Sequence, residues 1–233
     1  MNDEAYLFPD PLSVETEDVV AVGGNLSVGT LFNAYSKGIF PWPHEQHPLL
    51  WFFPQKRGLI LRENFKVPRS LAKFIKHQKY VLKWNEDFEA IIDGCQQSPR
   101  KNQAGTWITD DMKFGYIAFH RAGYAKCLAV YEGPHLVGGI YGVYCQGVFS
   151  AESMFFKQSN ASKVALKVLC EFLFFAGLEF IDVQMVTETS QQFGATYEGA
   201  SDYARRLKNL ERKKPDLEKS WQDFRQVVAV TDV

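Results

Sequence analysis

Three apolar segments lie in close succession between residues 125 and 154, and this pattern restricts the fold more than any other part of the chain. The turn Glu132-Gly133-Pro134-His135 separates Ala125–Tyr131 from Leu136–Tyr144, and the turn at Gln146-Gly147 precedes Val148–Met154. Short apolar segments bounded by Gly and Pro are typical of antiparallel strands joined by hairpins. We therefore predict three consecutive strands in one sheet.

A helix and a further strand are predicted directly after these hairpins. The helix covers Ala161–Ala176, with Ser159 or Asn160 as its N-cap and Gly177 at its end, and the strand covers Phe180–Val186. Upstream, the pattern predicts strands over Gly58–Arg62 and Tyr80–Trp84, and helices over Ser70–Gln78, Asp87–Cys95 and Asp110–Ala122. The charged tail after Ser201 is also predicted to be helical. This order indicates an α+β fold, and it resembles the fold of the acetyl-CoA-dependent N-acetyltransferases.

Residues 1–58 differ from the remainder because they are rich in Pro, Gly and aromatic residues. One helix is predicted there, over Val28–Lys37, with Ser27 as its N-cap and Gly38 at its end. The other residues of this part are predicted to form turns and short extended pieces. We expect a small N-terminal domain over 1–58, packed on a larger domain over 59–233.

Composition limits where and how the protein works. The N-terminal residues have no basic and apolar regions of a secretory signal, and no apolar segment approaches the roughly 18 residues that span a bilayer. The four cysteines are widely spaced and have no metal-ligand pattern, so reduced structural thiols are expected. These observations predict a cytoplasmic protein without membrane contact.

The chain carries a net charge of −1, whereas domains that bind nucleic acid strongly are usually basic. Any contact with RNA would therefore need a local patch. Arg69, Lys73 and Lys76 recur at helical spacing and could contact a phosphate backbone, although an ordinary solvated helix face explains them equally well.

Seven short motifs occur in order along residues 20–195. They are Gly23-Gly24-Asn25-Leu26-Ser27, Tyr35-Ser36-Lys37-Gly38-Ile39-Phe40-Pro41-Trp42, Gly105-Thr106-Trp107-Ile108-Thr109, Leu136-Val137-Gly138-Gly139-Ile140-Tyr141-Gly142-Val143, Glu152-Ser153-Met154-Phe155, Asn160-Ala161-Ser162-Lys163 and Ile181-Asp182-Val183-Gln184. This series of motifs is similar to that of the leucyl/phenylalanyl-tRNA–protein transferase family. The resemblance implies an N-acetyltransferase-like (GNAT-like) catalytic domain. It also implies transfer of Leu or Phe, with Met as a third donor residue, from charged tRNA to the α-amino group of proteins that begin with Lys or Arg, which marks them for degradation.

The resemblance implies a catalytic role for Asp182, Gln184 and Glu152. Asp182 and Gln184 are two apart on a predicted strand and would share one face, where the carboxylate could hold the attacking amine and the amide could donate a hydrogen bond. Glu152 lies in an apolar strand and needs a partner if buried, either a cation of the acceptor protein or an internal base such as Lys163. We expect no metal or organic cofactor, because the ester of the charged tRNA is already activated, and we expect a monomer.

The resemblance also implies binding residues. Ile140, Phe149, Met154, Leu169 and Leu173 match positions of an apolar aminoacyl pocket, although spacing does not distinguish a pocket wall from ordinary core. Trp107 and Trp42 could stack on the terminal adenosine of the tRNA. The family commonly has Ile-Pro-Arg-Arg where this chain has Glu198-Gly199-Ala200-Ser201, which removes local positive charge.

Two alternative functions remain at this stage. An acetyl-CoA-dependent N-acetyltransferase would need a Gly-rich turn that holds pyrophosphate, but residues 155–161 between the last hairpin strand and the helix contain no glycine. A non-catalytic RNA-binding adaptor with a degenerate site would explain the replaced arginines.

Overall fold

The computed structural model describes residues 5–13, 18–43, 48–77, 80–98, 107–210 and 214–228. The strands are β1 Val19–Val22, β2 Phe40–Trp42, β3 Leu50–Phe52, β4 Lys56–Leu61, β5 Tyr80–Trp84, β6 Ala125–Glu132, β7 His135–Cys145, β8 Val148–Phe156, β9 Phe180–Gln184 and β10 Thr196–Gly199. The helices are α1 Val28–Tyr35, α2 Arg69–Ile75, α3 Phe88–Gln97, α4 Asp110–Arg121, α5 Ala161–Phe175, α6 Glu188–Gln192, α7 Ala200–Leu210 and α8 Leu217–Val228.

A mixed seven-stranded sheet forms the centre of the protein, in the order β10-β4-β9-β8-β7-β6-β5. The predicted hairpins β6–β7 and β7–β8 are antiparallel, and β8 and β9 are parallel because α5 carries the chain back across the sheet. The expected α+β architecture is therefore confirmed.

Helices cover both faces of this sheet because alternate residues of its strands point to opposite sides. On β6, Cys127 and Ala129 belong to one buried cluster, while Leu128 and Val130 belong to the other. The first cluster includes side chains from α1, α3, α4 and α7, and the second includes side chains from α2, α5 and α8. The N-terminal residues contribute to the first cluster, so they share a core with the main sheet.

Local capping signals identified two helices correctly. The Ser27 hydroxyl accepts a hydrogen bond from the Thr30 amide at 3.3 Å, and Thr109 accepts one from the Met112 amide at 3.2 Å. Gly38 follows α1 with a φ of +75°, the left-handed conformation that favours glycine. The cap predicted for α5 was wrong in its chemistry, since Asn160 occupies the N-cap position in a left-handed conformation and its side chain makes no capping bond.

Several short elements were not predicted. Strands β1, β3 and β2 pair as a separate three-stranded sheet, where only turns and extended pieces had been expected. β10 joins the edge of the main sheet beside β4, and α6 lies between β9 and β10. The predicted end of α2 at Gln78 lies outside the described residues.

Candidate active site

The parallel strands β8 and β9 separate soon after they meet. They are paired at Phe149–Ile181 and at Ser150–Asp182. Just beyond these pairs, Glu152 is an extra residue on β8, because Tyr141 is opposite Ser153 while Gly142 is opposite Ala151. Val183 is likewise an extra residue on β9, opposite β4. Two β-bulges at the point of separation redirect the neighbouring side chains into the gap between the strands.

Glu152 and Gln184 meet across this gap. The Nε2 amide of Gln184 donates to Oε1 of Glu152 at 2.8 Å, and the Tyr116 hydroxyl donates to Oε2 at 3.2 Å. The hydroxyl groups of Tyr116 and Tyr35 are 2.5 Å apart, which extends the hydrogen-bonded chain to α1. Glu152 is only partly buried whereas Gln184 is 6% exposed, so an incoming group would reach the pair from the side of Glu152.

The protonation of Glu152 reflects this setting. Burial raises the pKa of its carboxyl group to about 7, and the negative charge of Asp182 acts in the same direction. Hydrogen bonds from Tyr35, Gln184 and Tyr116 oppose the rise, because they stabilise the carboxylate. Burial also raises the pKa of both tyrosines, so their hydroxyl groups remain protonated donors. A carboxyl group with a pKa near neutrality can accept and release a proton at ordinary pH.

Asp182 lies beside this pair but is fully enclosed. Its Oδ1 accepts from Arg57 Nε at 2.8 Å and from the Gln184 backbone amide at 2.9 Å. Its Oδ2 accepts from Arg57 Nη2 at 2.5 Å, from Tyr203 at 2.8 Å and from Ser150 at 3.2 Å. A direct contact between Asp182 and an attacking amine, as expected from the sequence, would require one of these bonds to break.

Arg57 on β4 is the cation that balances Asp182. Its side chain is 1% exposed, and its guanidinium lies 4.8 Å from the ring centre of Phe40 and 4.6 Å from that of Tyr203. Burial works against this charge, but Asp182, Tyr203 and Glu152 together outweigh burial and raise the pKa of Arg57. The guanidinium is therefore charged and lies between two aromatic rings.

The backbone at Gln184 is held in an unusual conformation. Gln184 has a φ of +60°, which costs a residue other than glycine about 1–3 kcal/mol unless its surroundings enforce it. Gly58 lies opposite, and a Cβ there would come within 2.8 Å of the Met185 carbonyl carbon, so glycine is needed for the chain to turn this closely. The prediction that Asp182 and Gln184 share one face assumed a regular strand. The bulge at Val183 interrupts the strand between these two residues.

The five expected pocket residues lie in the second buried cluster. Ile140, Phe149, Leu169 and Leu173 are at most 3% exposed, and Met154 is partly buried beside the bulge in β8. The structure thus brings the five together, with Met154 as the partly buried residue packed against the other four's cluster. Their role as an aminoacyl pocket stays a prediction, because buried core residues pack in the same way.

Trp42 and Trp107 contact each other. Their rings are stacked, with centroids 5.7 Å apart and an interplanar angle of 25°. A cleft of about 650 Å³ opens beside Trp42, and Phe40, Phe52, Met185 and Tyr197 are also in its wall. Trp107 is not part of that wall, so Trp42 is the tryptophan that faces the cleft. Gly105 and Thr106 of the same motif lie outside the described residues.

The expected basic face is exposed. Arg69, Lys73 and Lys76 lie on α2 or at its C-cap, while Leu71 of the same helix is buried against the second cluster. Near the replaced arginines, Nε of Arg206 donates to both carboxylate oxygens of Glu198, at 2.8 and 2.9 Å. Contact of the basic face with tRNA stays a prediction.

The connection from β8 to α5 does not resemble a phosphate-binding loop. The backbone amides of Lys157 and Gln158 both donate to the Val137 carbonyl, at 2.7 and 3.3 Å, and are therefore unavailable to a pyrophosphate group. Among the described residues, no group of His, Cys, Asp and Glu is arranged to hold a metal ion. All four cysteines are buried. Within the described ranges, no helix is long and apolar enough to cross a membrane.

Sequence reasoning missed the partners of the three polar residues. These are Arg57, Ser150, Tyr203, Tyr35 and Tyr116. One signal could have identified Arg57, because an arginine beside the apolar segment Gly58–Leu61 needs an anionic partner when the strand is buried. The tyrosines gave no comparable signal, since buried tyrosines are common in cores.

Two family models match the chain. The model for leucyl/phenylalanyl-tRNA protein transferase matches residues 59–208, and the model for the N-terminal domain of the same proteins matches residues 24–55. A leucyl/phenylalanyl-tRNA–protein transferase from Lawsonia intracellularis is 39% identical over 88% of this chain and 90% of its own length. Another from Pseudoalteromonas atlantica is 40% identical over 88% of both chains. Among solved structures, L-PGS from Bacillus licheniformis is 11% identical over 73% of this chain and 58% of its own, with a TM-score of 0.39, a likeness too distant to define the fold.

These matches make the protein an aminoacyltransferase, an enzyme that uses aminoacyl-tRNA and a protein as its substrates. The chain belongs to the leucyl/phenylalanyl-tRNA–protein transferase family. The acetyl-CoA alternative is not favoured, and the occupied amides after β8 give a physical reason for this.

Proposed function

We propose that this enzyme transfers Leu or Phe, with Met as a third donor residue, from charged tRNA to the α-amino group of proteins that begin with Lys or Arg. The observation that carries the proposal is the Glu152–Gln184 pair in the gap between two diverging strands, where Glu152 is partly exposed. Because it adjoins Met185 and the aromatic cleft, one region offers an amine-binding carboxylate and a surface for the end of a tRNA.

The reaction needs few catalytic groups because the donor ester is already activated. The neutral amine attacks the ester carbonyl and forms the new C–N bond. The C–O bond to the tRNA ribose then breaks, the ribose oxygen takes a proton, and the attacking nitrogen loses one. Much of the rate can come from holding amine and ester together, which is worth effective molarities of about 10⁵ M or more in favourable cases.

Glu152 is the proposed acceptor of the amine proton. A pKa of about 7 is close to that of an α-amino group, about 7.7–8.0, so the proton can pass between them without a large energy difference. The Gln184 amide holds the carboxylate in place at 2.8 Å. In this mechanism Asp182 remains a catalytic-site residue but acts through Gln184 rather than on the amine.

The donor would occupy the adjoining surfaces. The adenine stacks on the face of Trp42 that borders the 650 Å³ cleft, while Trp107 supports the other face. The side chain of the amino acid enters the gap between β8 and β9 at Met154 and reaches Phe149, Leu169, Leu173 and Ile140. Met154 suits this position because methionine is flexible and polarizable, and can pack against differently shaped side chains.

The remaining proposals concern the setting of the enzyme. We propose a GNAT-like catalytic domain, supported by the order of three antiparallel strands, a crossover helix and a parallel strand. We also propose a division into two domains near residue 58. The first strand of the main sheet, β4, begins close to this boundary, at Lys56. Arg69, Lys73 and Lys76 would contact the tRNA backbone. We further propose that the enzyme acts as a cytoplasmic monomer and that transfer marks its acceptors for degradation.

A three-donor assay tests this function. The protein is incubated with labelled Leu-tRNA, Phe-tRNA or acetyl-CoA and a peptide that begins with Arg, and the same peptide with an acetylated N-terminus is the control. We expect label from the two tRNAs on the free peptide alone. Label from acetyl-CoA only would contradict the proposal, and no transfer from any donor would favour a non-catalytic adaptor.

A further inference from the structure

We infer that Arg57 is a positioning residue for this reaction, because through Asp182 it fixes Gln184 in the conformation that directs its amide at Glu152. The inference rests on the proposed use of Glu152 and Gln184. Arg57 lies on β4 and is 125 residues away in sequence from the carboxylate that it binds.

Arg57 is held rigidly in one orientation. It makes two hydrogen bonds to Asp182, at 2.8 and 2.5 Å, in the parallel arrangement that matches a guanidinium to a carboxylate. The rings of Phe40 and Tyr203 lie on its faces, and its Nη1 has no hydrogen-bond partner among the described residues. The group is therefore held by one carboxylate and two rings, and its orientation determines that of Asp182.

Asp182 in turn restrains the backbone of Gln184 through a hydrogen bond. The carboxylate oxygen that accepts from Arg57 Nε also accepts from the Gln184 amide, at 2.9 Å. Gln184 is in the left-handed region, which a residue other than glycine keeps only when its surroundings enforce it. The Asp182 hydrogen bond is such a restraint, and it depends on the position of the carboxylate.

Gln184 in turn holds Glu152, the proposed acceptor of the amine proton. Its side chain donates to Glu152 at 2.8 Å, and this geometry depends on the direction in which the Gln184 backbone leaves the strand. A small displacement of Gln184 would release Glu152 from its donor while leaving the fold in place. Misplacement of a positioned group by about 1 Å can reduce a rate roughly 100-fold.

A double-mutant cycle tests the inference. Arg57→Lys keeps the positive charge but loses the two-point contact, and it is compared with Gln184→Ala and with the double variant. We expect kcat to fall by about 10–100-fold in each single variant with KM for the charged tRNA unchanged. The double variant should be no slower than the slower single variant, because both changes remove the same restraint. Independent, multiplying losses would overturn the inference.

The pH dependence of kcat provides a second readout. Glu152 is faced by Tyr35 on α1, Tyr116 on α4, Asp182 and Gln184 on β9 and Arg57 on β4. Since Lys keeps the charge at position 57, the main change at Glu152 is loss of the Gln184 donor, which normally lowers its pKa. The acid limb of the profile should therefore move to higher pH in Arg57→Lys, and an unmoved limb would contradict the inference.

Two further variants separate this role from a simple loss of folding. Arg57→Met combined with Asp182→Leu replaces the buried pair by apolar groups of similar size, which proteins often tolerate. We expect this variant to fold but to lose kcat, and wild-type kcat would overturn the inference. Arg206→Lys is the control, because Arg206 also forms an ion pair with a carboxylate, that of Glu198, without contacting Asp182. The wild-type enzyme tests the proposed function separately, since its failure to transfer an amino acid would leave no kcat to compare.

Discussion

The two carboxylates of the candidate site lie on neighbouring strands but have opposite surroundings. Asp182 is 0% exposed, accepts five hydrogen bonds and has a cation in contact. Glu152 is partly exposed, and the donors that contact it, Gln184 and the tyrosines, are all neutral. A saturated carboxylate stabilises the structure around it, whereas one with a raised pKa and open access can exchange a proton with a substrate. The comparison therefore assigns positioning to Asp182 and chemistry to Glu152.

The largest expected effect concerns Glu152, the carboxylate that takes part in the chemistry. Glu152→Gln keeps the size of the side chain and removes its ability to take a proton, so kcat should fall about 10²–10⁴-fold. The change of kcat with pH near 7 should disappear with it. Both effects are measured by following steady-state transfer of labelled Leu at a series of pH values from about 5.5 to about 9. Glu198→Gln is the matched control, and wild-type kcat in Glu152→Gln would remove Glu152 from the mechanism.

The second prediction tests the structural half. Asp182→Ala leaves the charge of Arg57 buried without a partner, so the free energy of unfolding should fall by about 3–5 kcal/mol. Arg57→Met combined with Asp182→Leu should regain most of this loss, because no charge remains buried. Urea unfolding of the three proteins at one pH measures the difference. Equal stability of Asp182→Ala and wild type would show that the pair is not the structural centre described here.

Periodicity and capping predicted most of the fold. The three hairpin strands, α5 and β9 were expected within a few residues of their observed bounds, because long apolar segments and glycine ends determine them locally. β10 and α6 were missed, since elements of four and five residues have too little periodicity to detect. The small sheet of β1–β3 depends on pairing between distant residues, which sequence patterns do not show.

The sequence predicted which polar residues belong to the candidate site, but not how they are arranged. Glu152, Asp182 and Gln184 were expected near each other, and they are. The bulge at Glu152 and the left-handed backbone of Gln184 were not foreseen, because each depends on register with another strand. Arg57 was missed for the same reason, as its partner is 125 residues away in the chain.

Two hydroxyl groups allow a matched test of the two carboxylates. Tyr203→Phe removes one of the five donors to Asp182, which should lower stability by about 1.5–3 kcal/mol without moving the pH profile of kcat. Tyr116→Phe removes a donor that lowers the pKa of Glu152, so the acid limb should move to higher pH with a smaller loss of stability. Unfolding curves and pH profiles of both variants make the comparison. A shifted profile in Tyr203→Phe alone would reverse the assignment of roles.

The smallest expected effect is the pH dependence of stability that comes from Glu152. Its pKa is 4.5 ordinarily and about 7 in the folded protein, because burial disfavours the charged form. The folded state therefore binds more protons than the unfolded state between these two values, and stability contributed by this group is lost as the pH rises from 4.5 to 7. The loss should be about 1–2 kcal/mol, less than the full shift implies because the side chain is partly exposed to water.

Glu152→Gln should abolish this part of the pH dependence, since glutamine does not titrate. Urea unfolding of wild type and variant at pH 5 and pH 8 isolates the contribution of the one carboxyl group, because all other groups are common to both proteins. The variant should gain stability relative to wild type at pH 8, where the wild-type carboxylate is charged. If the difference in the free energy of unfolding between the two proteins were the same at both pH values, Glu152 would have an ordinary pKa. Glu152 would then differ from Asp182 only in its exposure to solvent.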